Sequence, residues 1–498
     1  MDQCPHAYSP DDPVDDVSAW TEAMWLAAAA LSEARSDFAG ASAAYHAALR
    51  LDPIGGEALL GLARVAARTM NHDAAIEWSR RAHHAHPGDL GCALQLASHL
   101  EAARQLDEAL AVLGELPAEE TRVREALGTC LVLQGRLDEG MHRLRHAVEE
   151  APESCQVRTS HAIGLWRCHE RRAALRELER ARALDPHDLR TRFVLAHLHL
   201  ELGDYLKGYA DREAIDAMYP PGIRARRWHG EPVDGKTLLL YNQHGIGDTL
   251  QMVRYAEVCA QLGARVILKL RPALLPLLQG VRGVDEWHAM DDALPAFDYQ
   301  ARLLDLPAVL RNTPETIPNS VPYLVPCAQR VRRVVQALAG IPKPWIGVAW
   351  RGNPQQKDGL IRSCSVADLE PLARSGFSLI NLQLDATPAE LERLGAHGLP
   401  DLDRDGAFLD SAALIAACDA VVTVDTAIAH LAGALAARVY LLLPYWGDWR
   451  WQADRPDTPW YPGMRLFRQA RPHDWRSAIA STVDALHHSH YHHRKETS

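Results

Sequence analysis

Tyr45-His-Ala-Ala-Leu-Arg-Leu-Asp-Pro53 returns further along the chain as Leu178-Glu-Arg-Ala-Arg-Ala-Leu-Asp-Pro186. In both copies a large residue opens the segment and a Pro closes it, and a small residue, Ala41 or Ala174, stands four positions before the large one. Prolines recur with spacings of 34, 30, 35 and 34 residues, at Pro53, Pro87, Pro117, Pro152 and Pro186. A fixed period of this length is typical of helical repeats.

The repeated residues predict stacked pairs of antiparallel helices over residues 17–216. A small residue lets two helices approach closely, and Pro separates the units because it fits a first helical turn but not a helix interior. The pattern resembles the tetratricopeptide repeat, with the third unit four residues short. The concave face of such a solenoid could bind a peptide or protein, or it could be a packing platform; the sequence leaves both open.

Composition restricts the class of protein. The 498 residues carry a net charge of −11, which argues against nucleic acid as the main partner. The nine cysteines form no Cys-x-x-Cys pair and indicate a reducing compartment. Residues 1–16 are acidic and contain Pro, so we expect them to be disordered rather than a signal peptide. No apolar run is long enough to predict a membrane span, and we expect a cytoplasmic protein.

The second half has the pattern of an α/β protein. After a linker at residues 217–235, apolar runs of strand length alternate with helix-length segments, which predicts parallel sheets with crossover helices. We expect two Rossmann-like halves, residues 236–341 and 342–486, and then a His-rich tail at 487–498. The predicted strands cover residues 237–241, 266–270, 345–350, 379–382, 420–424 and 439–443.

The first loop after a predicted strand contains Gly245 and Gly247 and opens a helix at Asp248. Glycines let the backbone approach a ligand closely, but a dinucleotide-binding fingerprint needs a third glycine that this helix lacks. An Asp at the start of a helix commonly caps it, and the same carboxylate can act as a general base. The residues themselves favour the cap and leave the base open.

Two further loops follow strands of the second half. Asn353, Lys357 and Arg362 lie on a polar loop whose cations could hold a diphosphate, with an ordinary solvated loop as the alternative. Asp425 and His430 lie at the start of a helix whose free N–H groups can bind an anion. A single His is more often structural, but ligands of parallel sheets bind at the carboxyl ends of strands. We therefore expect the three loops to form one site.

These loops together resemble the heptosyltransferase-like glycosyltransferases of glycosyltransferase family 9. The motifs are Gly-Ile-Gly-Asp248 with Gln251, Gly352-Asn-Pro-x-x-Lys357, and Asp425-Thr-Ala-x-Ala-His430-Leu-Ala-Gly-Ala-Leu435. The segment Pro444-Tyr-Trp-Gly-Asp-Trp-Arg-Trp451, with residues 458–462 and 465–469, looks like the bacterial branch that joins tetratricopeptide repeats to this domain. The resemblance covers residues 236–485 as well as the repeats.

The resemblance implies a GT-B architecture, with the acceptor side in residues 236–341 and the nucleotide-sugar side in 342–486. It implies an inverting, metal-independent transfer that needs no cofactor and uses a nucleotide-diphosphate sugar as donor substrate. Asp248 would be the catalytic base, on a loop that Gly245 and Gly247 bring close to the phosphates. The donor would be bound by Asn353, Lys357, Arg362, Asp425, Thr426, Ala427 and His430. Arg351 stands where the family has a small residue, so the donor sugar stays open.

Aromatic residues of the late segment have two interpretations. They could stack on a sugar or base, or they could pack a segment that returns the C-terminus to the first half, and we favour packing. The residues concerned are Trp446, Trp449, Trp451, Trp460 and Tyr461.

Three functions remain in competition. The first is a glycosyltransferase that modifies a protein or surface-polymer acceptor held by the repeats. The second is a repeat scaffold with an inactive transferase half, which mediates protein–protein interaction. The third is a sugar-nucleotide epimerase or another nucleotide-binding α/β enzyme. Such an enzyme would require the complete Gly-x-Gly-x-x-Gly motif, which lacks its third glycine here. Asp248, Lys357 and Asp425 favour the first.

Overall fold

A computed structural model of the chain describes residues 20–69, 71–216, 223, 225–242, 245–353, 359, 361–399, 403 and 407–496. The chain divides into two compact units, Met1–Glu170 and Arg171–Ser498. The first unit consists of helices, and the second contains further helices followed by two parallel sheets. Across the residues described, no helix combines the length and apolar character that a membrane crossing requires.

Paired helices joined by short turns build the first unit. They are α1 (Glu22–Ala34), α2 (Phe38–Leu51), α3 (Gly56–Arg68), α4 (His72–Ala85), α5 (Leu90–Ala102), α6 (Leu106–Gly114), α7 (Thr121–Leu133), α8 (Leu137–Glu150) and α9 (Cys155–Arg167). The second unit begins with α10 (Arg171–Leu184), α11 (Leu189–Glu201) and α12 (Tyr205–Asp216). The prediction of paired helices over this part of the chain is confirmed.

The repeated prolines and small residues lie where the sequence predicts them. Each Pro falls in a turn between two pairs, and Ala41, Ala75 and Ala174 are fully buried. Five of the described turns inside pairs share a second feature, a residue with positive φ. The residues with this conformation are Ser36, Arg104, Gly135, His169 and Gly203. The left-handed conformation reverses the chain between two helices in few residues.

The third repeat is shortened at the end of its second helix, and its buried residues are retained. Helix α6 has 9 residues, whereas α4 and α8 have 14 each. Ala109 and Leu113 are fully buried and reproduce the small–large spacing of Ala41 and Tyr45. The buried layer of the helix stack therefore continues through the shortened repeat.

A methyl group at Gly140 should destabilise the first unit. A Cβ there would lie 2.7 Å from the Gly128 carbonyl oxygen and 2.6 Å from a Val132 methyl. Because backbone would have to move, we expect Gly140→Ala to cost about 1–3 kcal/mol, seen as a lower midpoint of the first transition in a urea melt. Gly114→Ala is the control, since its Cβ would meet nothing within 4 Å; an equal loss in both variants would contradict the packing argument.

The two sheets of the second unit are entirely parallel. The first has the order β3-β2-β1-β4, and its strands are β1 (Thr237–Tyr241), β2 (Arg265–Leu270), β3 (Glu286–Ala289) and β4 (Tyr299–Arg302). The second has the order β6-β5-β7-β8-β9, with β5 (Trp345–Ala349), β6 (Ser378–Asn381), β7 (Ala420–Val424), β8 (Val439–Leu443) and β9 (Met464–Arg468).

Helices connect and cover these strands. They are α13 (Ile246–Met252), α14 (Tyr255–Gln261), α15 (Leu275–Leu278), α16 (Leu306–Val309), α17 (Ala328–Ala337), α18 (Glu370–Ala373), α19 (Pro388–Leu394), α20 (Leu409–Ala417), α21 (Ala427–Ala434) and α22 (Trp475–Glu496). Strands β1, β5, β7 and β8 are buried along nearly their whole length, as expected for strands covered on both faces.

Strand order places a crevice in each sheet. The order reverses between β1 and β4 in the first sheet and between β5 and β7 in the second. At such a point the connections leave on opposite faces of the sheet, and the loops at the carboxyl ends of the strands separate. The three loops that the sequence analysis selected follow β1, β5 and β7.

One predicted helix is broken in the structure. The sequence predicts a single helix over residues 248–262, whereas α13 and α14 are separated at Val253 and Arg254. The Arg254 Nε donates to the Gln251 carbonyl oxygen at 2.8 Å. In a continuous helix the Gln251 carbonyl oxygen would accept from the backbone N–H of Tyr255. The Arg254 side chain bonds to that oxygen instead, and the helix ends there.

The C-terminal helix differs from the expectation for a returning segment. Helix α22 packs on α18, β8 and β9 of the second sheet. It is residues 449–461 that reach the elements of the first sheet: Arg450 bonds to α13, and the Arg254 guanidinium, between α13 and α14, donates to the Trp460 carbonyl oxygen at 2.7 Å. Trp449, Trp451, Trp460 and Tyr461 are at most 4% exposed, which agrees with a packing role for these four rings.

Candidate functional site

A cleft of about 760 Å³ lies at the carboxyl ends of β1, β5 and β7 in the second unit. Every described residue that the sequence analysis assigned to a site lines it. These residues are Gly245, Gly247, Asp248, Asn353, Arg362, Asp425, Thr426, Ala427 and His430. Lys357 lies outside the described residues. In the part of the chain that the structure describes, the three loops line one cavity, and their role as a functional site stays a prediction.

Asp248 bonds back to the start of its helix and faces the cleft. It is the third residue of α13, and its Oδ2 accepts a hydrogen bond from the Gly245 N–H at 3.1 Å. Its Oδ1 accepts from the Arg450 Nη2 at 2.6 Å. The side chain is 26% exposed, so a ligand in the cleft can still reach it. Asp248 is therefore not the N-cap residue, which is Gly245, but its carboxylate bonds back to the N-cap N–H and still lines the cleft.

Arg450 is the central cation of the site, and sequence reasoning assigned it no role. It lies on a short 3₁₀ turn, Trp449–Trp451, and is 8% exposed. Besides Asp248, it donates from Nη1 to the Asp448 Oδ1 at 2.9 Å and from Nε to the Gln251 Oε1 at 2.8 Å. A guanidinium can hold several acceptors at once because its donors form a rigid planar fork.

Two carboxylates at the base of the cleft have opposite pKa shifts. Burial and then the neighbouring Asp448 carboxylate raise the pKa of Asp425 to about 6. Burial also acts to raise the pKa of Asp448, but the adjacent Arg450 guanidinium outweighs it, so that this pKa is lowered. Near neutral pH Asp448 is therefore the ionised partner of Arg450, and Asp425 is poised to take up a proton.

The start of α21 offers hydrogen-bond donors to the cleft. Thr426 is the N-cap residue in extended backbone, and Ala427 begins the helix. The first N–H groups of a helix have no partner within it, and the helix dipole favours an anion there. The Thr426 hydroxyl oxygen is buried and has no hydrogen-bond partner among the described residues. These groups could bind a phosphate oxygen.

His430 is a buried, neutral side chain that supports the cleft wall. Burial, followed by the Arg450 charge, lowers its pKa to about 3. Its Nδ1 shares a hydrogen bond of 3.0 Å with the Tyr461 hydroxyl, and its ring stacks on Trp451 at 5.4 Å between centroids. A Cβ at Gly247 would lie 2.8 Å from the His430 ring. Glycine at 247 therefore lets the first loop rest against the helix of the second sheet.

The loop after β5 brings two arginines to the cleft, and one of them is paired with carboxylates. Arg351 donates from Nη1 to Glu390 at 2.6 Å and from Nε to Asp385 at 3.2 Å. Because its charge is already matched by two carboxylates, it is a poor candidate for a phosphate ligand. Arg362 packs against Gly352, where a Cβ would lie 3.0 Å from the Arg362 Nε.

Cleft residues outside the three loops were missed by the sequence analysis. His197 on α11, Arg212 on α12 and Arg271 after β2 line the same cavity. The first two belong to the last helices of the repeat region, where many exposed positions carry Arg or His. Nothing in the local sequence separates these two from their neighbours, so only the fold could reveal them.

The raised pKa of Asp425 predicts a pH-dependent stability difference. An Asp whose folded-state pKa lies above its unfolded value loses stability as the pH rises through that interval, here from 3.8 to about 6. Asp425→Asn does not titrate, so its melting temperature should rise relative to the wild type between pH 4 and 6 and then stay level. The gain is at most about 3 kcal/mol. Asp291→Asn, at an exposed turn, is the control; a gain that shrinks as the pH rises would refute the assignment.

Comparisons with known proteins differ in how much of the chain they cover. No protein-family model matches the chain. Protein FlbA of Caulobacter vibrioides is 27% identical over 504 residues, which covers 93% of this chain and 83% of that protein. Solved structures add likenesses of small extent. YrrB, a TPR protein with an unusual peptide-binding site, is 23% identical and covers 34% of this chain and 88% of its own, with a TM-score of 0.26.

A second solved structure is TTC0263, a TPR protein of Thermus thermophilus. It is 22% identical and covers 36% of this chain and 100% of its own, with a TM-score of 0.33. Likenesses of this size carry no information on ligands. The assignment of the repeat region rests on its helix pairs and on the period at which they recur. The helical half is a tetratricopeptide-type repeat. Parallel α/β sheets follow this repeat in the chain.

Proposed function

We propose that this protein is a glycosyltransferase of GT-B architecture with two Rossmann-like halves. It moves a sugar from a nucleotide-diphosphate donor to a hydroxyl of a protein or surface-polymer acceptor. The observation that carries the proposal is the single cleft at the switch points of two parallel sheets. In that cleft a carboxylate, Asp248, lines the same cavity as the start of α21 and Arg362.

The two sides of the cleft suit the two halves of the reaction. An acceptor hydroxyl must lose a proton as it attacks the anomeric carbon, and Asp248, a partly exposed carboxylate on α13, is the proposed base for that step. The departing nucleotide diphosphate needs groups that stabilise its negative charge. The N–H groups of α21, the Thr426 hydroxyl and Arg362 can supply them, together with Lys357 as the family resemblance implies. The transfer would be inverting and metal-independent, again as the resemblance implies.

The last repeat helices supply part of the acceptor side in this proposal. His197 and Arg212 come from α11 and α12, and both line the cleft. An acceptor protein or peptide bound against these two helices would therefore lie next to the reaction site. Recognition by the repeat and transfer of the sugar would then be coupled through the same two helices.

One observation favours the inactive scaffold as a second candidate. Both carboxylate oxygens of Asp248 already accept hydrogen bonds, from Arg450 and from the Gly245 N–H. A carboxylate held in this way can take up a proton only at the lone pairs that are not already hydrogen-bonded. If those are not accessible, the cleft would bind nucleotide sugar without turnover, and the chain would act through its repeats.

Donor binding tests both candidates. We expect one nucleotide sugar of a panel with UDP, GDP, ADP and CDP leaving groups to raise the melting temperature and to bind in calorimetry. Arg362→Ala should weaken that binding at least about tenfold, the equivalent of 1.4 kcal/mol, because a cation near the diphosphate is lost.

The matched control is Arg374→Ala, an exposed residue paired with Glu370 on α18. It should leave the dissociation constant unchanged. Binding with release of nucleoside diphosphate supports the transferase, and binding without release on any acceptor supports the scaffold. If no nucleotide sugar binds the wild type, the donor-site assignment is wrong.

A further inference from the structure

Arg450 joins two parts of the site that are far apart in the sequence. Its guanidinium donates to Asp248 and Gln251 on α13 and to Asp448 in its own segment. The contact with Asp248 spans 202 positions of the chain. No single-chain pattern marks such a pair, and the fold alone brings it together.

The position of Asp248 depends on this contact. One oxygen is fixed by the Gly245 N–H at 3.1 Å and the other by Arg450 at 2.6 Å. A carboxylate held at both oxygens has one orientation, and its free lone pairs then have a fixed direction. Without Arg450 the cap alone would hold the group, and the side chain could rotate about its terminal bond.

Arg450 is itself held firmly. Its guanidinium lies 4.6 Å from the centre of the Trp449 ring. Trp449 packs edge-on against Tyr205 and Tyr209 of α12, at 5.7 and 6.5 Å between ring centres. The backbone N–H of Arg450 also donates to the Asp448 Oδ1 at 2.9 Å. The last repeat helix therefore backs the turn that carries the arginine.

The surrounding charges require a cation at this place. Ionisable and charged groups from several elements surround Arg450, and they are Asp248, Asp425, Asp448, His197, Arg212 and His430. His197 and His430 have lowered pKa values because of burial and are neutral near pH 7. Arg450 thus stands between carboxylates, and in a partly buried site their repulsion would be strong without it.

We propose that Arg450 is the positioning residue of this site: it fixes the carboxylate of Asp248 in one orientation, ready to accept the proton of the acceptor hydroxyl. The inference rests on the proposed function, since it concerns the base of the transfer reaction. Arg450 acts through Asp248, and its fork rather than its charge alone is required because three acceptors on two elements must be held together.

The test compares Arg450→Met, Arg450→Lys and the wild type in release of nucleoside diphosphate from the donor that the binding panel identifies. We expect Arg450→Met to lower kcat about a hundredfold, while the KM for the donor changes by less than about threefold. Arg450→Lys should restore part of the rate.

A double variant separates positioning from general damage. Asp248→Asn combined with Arg450→Met should lose little beyond Asp248→Asn alone, because the two residues act as one unit. Arg455→Met is the control, on the same segment and paired with Asp457 at the surface. If Arg450→Met does not fold, Arg450→Lys carries the same comparison of kcat and KM.

Each result decides between the two claims. If the wild type turns over the donor and Arg450→Met has the same kcat as Arg455→Met, the positioning role of Arg450 is overturned. The transferase proposal is unaffected by that result. A fall in donor affinity with kcat unchanged would also overturn the positioning role and make Arg450 a donor ligand. If the wild type binds the donor but releases no nucleoside diphosphate, the transferase fails, and the role of Arg450 in it fails too.

Discussion

Replacing Asp248 by Asn is expected to lower kcat about 10²- to 10⁴-fold and to leave the donor dissociation constant unchanged. Asn keeps the size of the side chain, and its oxygen can still accept from Arg450 or from the Gly245 N–H. It cannot take up a proton from an acceptor hydroxyl. The measurement is donor turnover with acceptor present, together with calorimetric donor binding.

Asp291→Asn, at an exposed turn of the first half, should match the wild type in both measurements. The informative comparison is Asp425→Asn, because Asp425 lines the same cleft and burial raises its pKa to about 6. Full turnover in Asp248→Asn with loss in Asp425→Asn would move the base to Asp425. Loss of donor binding in Asp248→Asn would instead place that carboxylate against the donor.

The repeat half was largely readable from the sequence because each unit carries its own signals. A Pro marks each turn between pairs, and a small residue such as Ala41 or Ala174 marks a close helix contact. Both signals act over a few residues, so they survive in a single sequence. The sequence also showed that the third repeat is short. It did not show that the missing residues come from the end of α6, because the burial of Ala109 and Leu113 is evident only in the folded chain.

The sheets were predicted in their centres and missed at most of their edges. Strands β1, β7 and β8 lie where apolar runs predict them, since central parallel strands are buried on both faces. The strands β3, β4 and β9 were not predicted as strands. Each is an edge strand in its sheet order, and their sequences mix charged or polar residues with apolar ones, as edge positions permit.

The candidate site was predicted where a loop carries a local motif and missed where the fold makes the contact. Asp248 and Asp425 each follow a recognisable strand, so the rule for carboxyl ends of strands finds them. Arg450 sits in an aromatic segment that looks like packing, and its partner on α13 is remote in sequence. A charge in such a segment gives no local sign of the carboxylate that it will meet.

Arg254→Met is expected to give the largest loss of stability, about 3–5 kcal/mol. The Arg254 guanidinium is buried and donates to the Trp460 carbonyl at 2.7 Å, the Pro318 carbonyl at 3.1 Å and the Tyr323 hydroxyl at 2.9 Å. Methionine fills much of the volume but leaves these oxygens without their donor. The change should appear as a lower midpoint in thermal and urea melts of the full chain.

The effect should reach the cleft because Arg254 anchors the segment that supports it. Its guanidinium lies 4.7 Å from the centre of the Tyr461 ring, and the Tyr461 hydroxyl bonds to His430 at 3.0 Å. We therefore expect weaker donor binding in Arg254→Met even at temperatures where it is folded. Arg282→Ala, an exposed residue paired with Glu257, should change stability by less than about 0.5 kcal/mol. Equal stability in the two variants would mean that the contacts of Arg254 do not hold the first sheet to the late aromatic segment.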